Sequence, residues 1–349
     1  MKKLFYLFMV TMCALAFTAC SKDDGNTDSS GKGEPIIMTA LVDEHNEHFG
    51  FTFYFNEKDT LIINWGDGCI EKYELEKENN NGGLLKFKCE PEHRYTSAGN
   101  KIISYSFKEK NIKESMTQLY NETKADLVSL DVSDCVALIE LGFLATQTDA
   151  SGCEVLTILN GPDSEATSLN LNGCKGLTHL HCYNNELTSL DLSTNIALQE
   201  LRCERNPQLS SLDISKNTAL ERLECDDFLL SSLDLSQHTK LKALSCIGRD
   251  NKLTFLDVSK NTALEKLDCR DNQLSSLNIS QNTALTVLIC HDNNFSASAL
   301  NKIFNDLPQG KIWYDVWGNK QQSTISIGNN PGTDTCDKSI AENKGWSVQ

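Results

Sequence analysis

The chain lacks the grouped positive charge that nucleic-acid binding requires. Its 349 residues carry 32 Lys and Arg against 48 Asp and Glu, a formal charge of −16, and no basic run follows residue 3. A phosphate polymer is held by clustered Lys and Arg, so nucleic acid is excluded as a partner and adsorption of the folded body onto anionic membrane is disfavoured. Catalytic and metal signatures are missing too. No G-x-S-x-G, H-E-x-x-H, P-loop or EF-hand loop occurs, and no two cysteines have the C-x2–4-C spacing of a zinc site. Nothing selects a carboxylate pair from the acids present. The chain is therefore read as a non-enzyme without metal or cofactor. Hydrolysis abolished by neutralising one carboxylate would mark the contrary.

What is present begins at the N-terminus. Lys2 and Lys3 precede an apolar stretch, Leu4 to Ala19, of 16 residues. That is short of the about 20 that a spanning helix needs and suits a signal-peptide core. The stretch ends Phe17-Thr18-Ala19-Cys20, followed by Ser21-Lys22-Asp23-Asp24. These residues resemble the lipobox and acidic export signal of Bacteroidetes surface lipoproteins. The resemblance implies a signal peptide over 1–19, lipidation of Cys20, and anchoring at the outer membrane facing the exterior. The alternative is an ordinary cleaved signal with a chance cysteine. Residues 20–34 have no apolar residue after Cys20 before the next segment and read as a lipidated, flexible tether.

The strongest signal is internal repetition. From residue 177 the chain repeats L-x-x-L-x-C-x-x-N-x-L-x-x-L-D-[LIV]-S-x-N-x-x, as in LTHLHCYNNELTSLDLSTNIA over 177–197. Cys182, Cys203, Cys225, Cys246, Cys269 and Cys290 recur at steps of 21, 22, 21, 23 and 21. Degenerate copies place Phe143 and Gly161 at the cysteine position, and Leu119-x-Asn121 marks an N-terminal capping coil. About nine coils cover 115–295. One coil cannot cover its own apolar residues, so neighbours must stack into a continuous core. The x-L-x-C-x segment alternates with period two, which puts a short strand in each coil and one parallel sheet on the concave side. Asn185, Asn206, Asn272 and Asn293 follow their cysteines by three residues and form an internal ladder to backbone groups. Phe228 and the insertion IGRDNK after Cys246 break it.

The pattern resembles the cysteine-bearing leucine-rich repeats of internalin-like bacterial surface proteins. This resemblance implies a right-handed solenoid over 113–295. The tail, with its helical pattern Ala299, Leu300, Ile303, Phe304 and Leu307, is similar to a C-terminal cap over 296–349. Residues 35–112 differ in texture, with alternating strands such as FGFTFYF (49–55) and TLIINW (60–65) that argue for a β-sandwich. Ile63-Asn64-Trp65-Gly66-Asp67-Gly68 and His93-Arg94-Tyr95 resemble the PKD family, an immunoglobulin-like fold used as a spacer or as a protein- or glycan-contact module. The fold class is thus mainly β: a small PKD-like sandwich followed by a repeat solenoid.

Fourteen cysteines in an exported chain suggest disulfides, but phase argues otherwise. The six ladder cysteines stand at an apolar core position and read as buried, reduced thiols. Cys135, Cys153 and Cys174 form a second row, continued by Asn195, Asn217, Asn261 and Asn282. Cys69 and Cys89 flank the sandwich hairpin and are the disulfide candidates.

The outward positions of the concave sheet are the candidate ligand-binding residues: His179, His181, Tyr183, Arg202, Glu204, Arg222, Glu224, Lys266, Arg270 and Ile289. Tyr and Arg often carry interface energy. The expected partner is a protein on a host or neighbouring cell surface, bound for adhesion or recognition by a monomer. The bland alternative is a solvated face with ion pairs within the sheet. The other functional reading is a glycan-binding component of a polysaccharide-uptake system, which would use aromatic platforms such as Tyr183, Trp313 or Trp317.

Overall fold

The computed structural model describes residues 32–42, 48–55, 60–65, 69–78, 86–89, 92–94, 99–107, 116–121, 127–226, 232–248, 253–314 and 320–349. The signal segment, Cys20, Gly66 to Gly68, Tyr95, Phe228, the insertion 249–252 and Trp317 lie outside them. Among the described residues no helix is long and apolar enough to cross a membrane.

The repeat phase is visible directly in strand register. Leu180, Leu201, Leu223, Leu244, Leu267 and Leu288 are successive partners on parallel strands, with Ile325 following. Each cysteine two residues on then falls in one row. Every link of that row is a backbone bond: Cys182 N–H donates to Arg202 O at 2.8 Å, Cys203 to Glu224 O at 3.0 Å, and Cys269 to Ile289 O at 2.9 Å. Residues Gly31–Gln349 form one compact unit around a continuous apolar core that runs from Phe51 to Trp346. The architecture is a leucine-rich-repeat solenoid with a parallel sheet on its concave side.

Local chemistry explains why each coil turns where it does. The D-x-S signature is an Asx turn: Asp191 Oδ1 accepts from Ser193 N–H at 2.9 Å, and Asp149, Asp213 and Asp257 do the same for Ser151, Ser215 and Ser259. Hydrogen bonding from the Ser193 hydroxyl, and then from its N–H, holds the Asp191 carboxyl below its ordinary range. A second turn, two residues after the cysteine position in six of the coils, is left-handed. Asp163, Asn184, Asp271, Asp292 and Asn329 occupy it with φ between 53 and 58°, as short polar side chains tolerate. Arg205 occupies it too, at φ 57°. Gly161 stands at the cysteine position because a Cβ there would come within 2.3 Å of Leu144 Cγ.

Both ladders are built from buried donors. Asn206 Nδ2 donates to Cys182 O at 3.0 Å and Cys203 O at 2.8 Å, and its Oδ1 accepts from Leu187 N–H at 3.1 Å. Asn185, Asn272 and Asn293 repeat the arrangement. In the second row Cys153 and Cys174 thiols donate to Val132 O and Ala150 O at 3.1 and 3.0 Å. Asn195, Asn217, Asn261 and Asn282 donate to the equivalent carbonyls of Leu171, Leu192, Leu235 and Val258. His238 joins them through Nε2 to Ile214 O at 3.1 Å, which requires the proton on Nε2. All six ladder cysteines and Cys135, Cys153 and Cys174 are buried thiols without a disulfide.

The ends of the array hold two features beyond the repeat pattern. The strand Met116–Asn121 pairs parallel with Glu140–Leu141 and antiparallel with His48–Phe55, so the N-terminal strands extend the concave sheet. The opposite sheet is shared as well, because Leu127–Asp131 pairs with Lys32–Val42. Phe51, Phe53 and Phe55 alternate inward, and the Phe51 ring lies 6.2 Å from Phe143 in the array. The apolar end of the solenoid is thus closed by the N-terminal strands themselves. At the other end, after the helix Ala297–Asp306, Thr324–Ser326 and Ser347–Val348 add two more parallel strands. Asn330 donates to Cys290 O at 3.1 Å and Ile327 O at 2.8 Å, continuing the asparagine ladder with Ile327 in place of cysteine. The segment 296–349 therefore contains a further coil as well as a covering helix.

Cys69 lies at the start of the strand pairing with Thr60–Asn64, its thiol 3.7 Å from a Glu71 carboxylate oxygen. Cys89 belongs to the other sheet, opposite Phe53, and its side chain lies outside the described set.

Candidate functional site

The concave sheet presents its side chains in three columns, set by strand register and by the 4.8 Å spacing of neighbouring strands. His179, Glu200, Arg222, Ala243, Lys266 and Val287 form the first; His181, Arg202, Glu224, Ser245, Asp268 and Ile289 form the second. Two residues further along, Tyr183, Glu204, Asp226, Ile247, Arg270 and His291 form a third. All ten predicted ligand-binding residues fall on this face, but they are not equivalent.

Three successive coils are tied by charge. His181 Nε2 lies 3.0 Å from Glu200 Oε1, and Arg222 reaches Glu200 at 3.7 Å and Glu224 at 3.5 Å. Arg202 bonds Glu224 at 3.1 Å and Glu204 at 3.3 Å, while its guanidinium sits 4.9 Å above the Tyr183 ring centroid. Arg270 lies 3.7 Å from Asp268. His179 Nδ1 is engaged locally with Thr178 Oγ1 at 2.9 Å. Lys266 is exposed and Ile289 half-buried.

The third column lines a cleft of about 570 Å³ bounded by Tyr183, Arg202, Glu204, Arg205, Asp226, Ile247, Arg270, Asp271 and His291. Charge is layered in it. The arginines stand at the rim, with Arg202 and Arg270 side chains 33% and 36% exposed. Of the carboxylates that line it, Glu204 is buried, only 8% exposed, while Asp226 and Asp271 are half-buried. Asp226 accepts from Ser245 Oγ at 2.7 Å and Ile247 N–H at 2.7 Å, both neutral donors. Glu204 Oε1 faces Arg202, but Glu204 Oε2 is fully enclosed with no hydrogen-bond partner. Burial pushes the Glu204 carboxyl up to about 7, with repulsion from Glu224 and Asp226 adding to it, against backbone and Arg202 contributions that lower it. Burial likewise pushes Asp226 up to about 6 and raises Asp268.

The outward positions of these acids were legible from alternation, but their depth was not. Arg205, Asp226, Ile247, Asp271 and His291 join the cleft beyond the ten candidates. The one sequence signal for Arg205 was a long side chain at the left-handed turn that other coils fill with Asn or Asp. Among the described residues no three His, Cys, Asp or Glu side chains gather as a metal-ion set.

No protein-family model and no curated protein matches the chain. Solved structures do. The functional domain of InlJ from Listeria monocytogenes, described as including a cysteine ladder, is similar at 22% identity and TM-score 0.47, over 66% of this chain and 61% of that one. The Leptospira interrogans leucine-rich-repeat protein LIC12759 is similar at 18% identity and TM-score 0.41, over 62% and 67%. An internalin, InlF, from Listeria monocytogenes is similar at 16% identity and TM-score 0.29, over 63% and 86%. The chain thus spans less than two thirds of the InlJ domain. The fold assignment itself rests on the strand register and the two ladders.

Proposed function

We propose that the protein is a surface-exposed, lipid-anchored recognition protein that binds a protein partner through its concave sheet and acts as a monomer without cofactor or catalysis. The observation that carries this reading is the cleft along the third column, where six successive coils, from Tyr183 to His291, present side chains to one continuous face. A parallel ladder holds those side chains at fixed spacing, so little order need be gained on binding. Tyr183 and Arg202, stacked on each other at the cleft wall, are residue types that anchor interfaces. The lipobox-like Cys20 and the acidic residues after it support anchoring at the outer membrane of a Bacteroidetes-type bacterium. The PKD-like motifs support an immunoglobulin-like identity for residues 35–112. Glycan binding is the weaker reading, since the Tyr183 ring that a sugar would stack upon is covered by the Arg202 guanidinium.

The test compares capture from host and neighbouring-cell surface extracts by the full chain and by a His181→Ala, Tyr183→Ala, Arg202→Ala variant. A protein retained by the first and lost by the second supports the reading. Equal retention removes this face from the site, and a sharp hit on a glycan array would replace the protein partner with a carbohydrate.

A further inference from the structure

The back of the array, opposite the concave sheet, departs from its own repeat in two neighbouring coils. The residue before the L-D-[LIV]-S run, in phase with Ser129 and Ser168 of the opposite sheet, is serine at Ser189, Ser211, Ser232 and Ser276. Phe255 stands there in the remaining regular coil, 70% exposed. In the next coil Asn278 replaces the aspartate found at Asp191, Asp213, Asp234 and Asp257. Both departures open on one groove of about 700 Å³, walled by Phe255, floored by Leu256 and Leu277, and closed by the start of the helix Ala297–Asp306. That volume lies within the about 300–1,000 Å³ of small-molecule sites.

The lining selects a type of guest. Leu256 and Leu277 are spent on the core, so the Phe255 ring supplies most of the apolar surface on offer. Short polar groups surround it. Asn278 Oδ1 is taken by Ser280 N–H at 3.1 Å and Ser280 Oγ at 2.8 Å, which leaves the Asn278 amide N–H groups free to donate. Ser275 and Ser276 are exposed, and Ser296 and Ser298 pair their hydroxyls at 2.9 Å. None of the lining residues lies in a strand, so no sheet edge is offered to a peptide. One aromatic face among hydroxyls and an amide instead matches a pyranose, which has a C–H face and a rim of hydroxyls. Lys302 is bound to Asp306 at 2.7 Å, so the charge left over in the groove is the Asp257 carboxylate, which repels an acidic sugar. We propose that this groove is a second binding site, separate from the concave face, that takes a neutral sugar ring of a glycan, stacked on Phe255 and hydrogen-bonded by Asn278, Asp257 and the serines beside them.

The probes are the methyl glycosides of glucose, galactose, mannose and N-acetylglucosamine, with methyl glucuronide as the acidic control. They are titrated into the full chain while the Phe255 ring is followed by NMR, and affinities of the variants are read from saturation transfer to the probe. The expected result is saturable displacement of the Phe255 signal by a neutral glycoside, with transfer strongest at the C–H protons of one sugar face, and no displacement by the glucuronide. Phe255→Ser and Asn278→Asp restore residues that other coils carry, so lost binding in them is not lost folding. Each should weaken binding about tenfold, while Phe255→Trp keeps it. No displacement by any neutral probe, an affinity unchanged by Phe255→Ser, or equal binding of the glucuronide overturns the inference. So does a wild-type dimer that sedimentation shows dissolved by Phe255→Ser, since the groove would then hold a second copy of this chain. On the glycan array, a hit lost in Phe255→Ser but kept by the triple variant belongs to this groove and leaves the concave-face reading standing.

Discussion

Glu204→Gln should make the protein more stable, by an amount that depends on pH in a way fixed by the cleft. The native carboxyl is raised from 4.5 to about 7, chiefly by burial. The folded state therefore holds a proton between about pH 4.5 and 7 that the unfolded chain has released. Stability contributed by this group is complete below the unfolded value, falls through that window, and is flat above it. A displacement of that size corresponds to about 3 kcal/mol, and since the residue is only 8% exposed, solvent screening removes little of it. Glutamine keeps the shape and an acceptor for Arg202 but has no proton to lose. The stability difference between variant and wild type should then grow by about 3 kcal/mol from pH 4.5 to 8.5. Urea denaturation of both proteins at a series of pH values measures it, with equal slopes showing that the unfolded states are alike. Parallel stability curves across this range would refute the account of Glu204 as a buried, under-compensated acid. A gap that grows toward acid would reverse its sign.

Two further outcomes follow from the ladders. Asn206→Ala leaves the Leu187 N–H and the Cys203 carbonyl without their ladder partner and should cost about 3 kcal/mol, whereas Asn217→Cys can keep the bond to Leu192 O by a thiol, as Cys153 and Cys174 do, and should cost about 1 kcal/mol; equal losses in thermal denaturation would show that the rows are not built as described. The ladder thiols are enclosed and burial pushes Cys290 up to about 12, so mass labelling of the native protein should modify the half-buried Cys69 and Cys336 before any ladder thiol and reach Cys182 to Cys290 only after denaturation; non-reducing denaturation that leaves the ladder cysteines unlabelled would mean they are bridged.

Residue phase made most of the solenoid legible. A period of 21 to 23 residues fixes which side chains stack, and alternation fixes which face outward. Neither fixes how deep an outward side chain sits. Glu204 and Lys266 both point from the sheet, yet one is buried beneath an arginine and the other exposed, because depth depends on the neighbours one strand away and on the cleft they enclose. Strand pairing across the array's end was hidden for a similar reason. The alternation of His48–Phe55 says that one face is apolar, but not that it is spent on Met116 and Leu119.

The second ladder shows what kind of information a repeat carries. Along one row the residue changes from cysteine to asparagine to histidine and back to asparagine, yet each donor reaches the carbonyl three positions before the preceding member of the row. Thiol, amide and imidazole have little in common beyond an N–H or S–H of suitable reach. The coil therefore requires a donor at a phase, and identity is secondary. By the same logic Ile327 and Asn330 belong to the array although no cysteine marks their coil, since Asn330 makes the bonds that Asn293 makes one turn earlier. Departures that satisfy the phase are substitutions within the scaffold. Departures that leave a buried acceptor unmatched, as Glu204 Oε2 is, cost the scaffold stability that the phase would otherwise have kept.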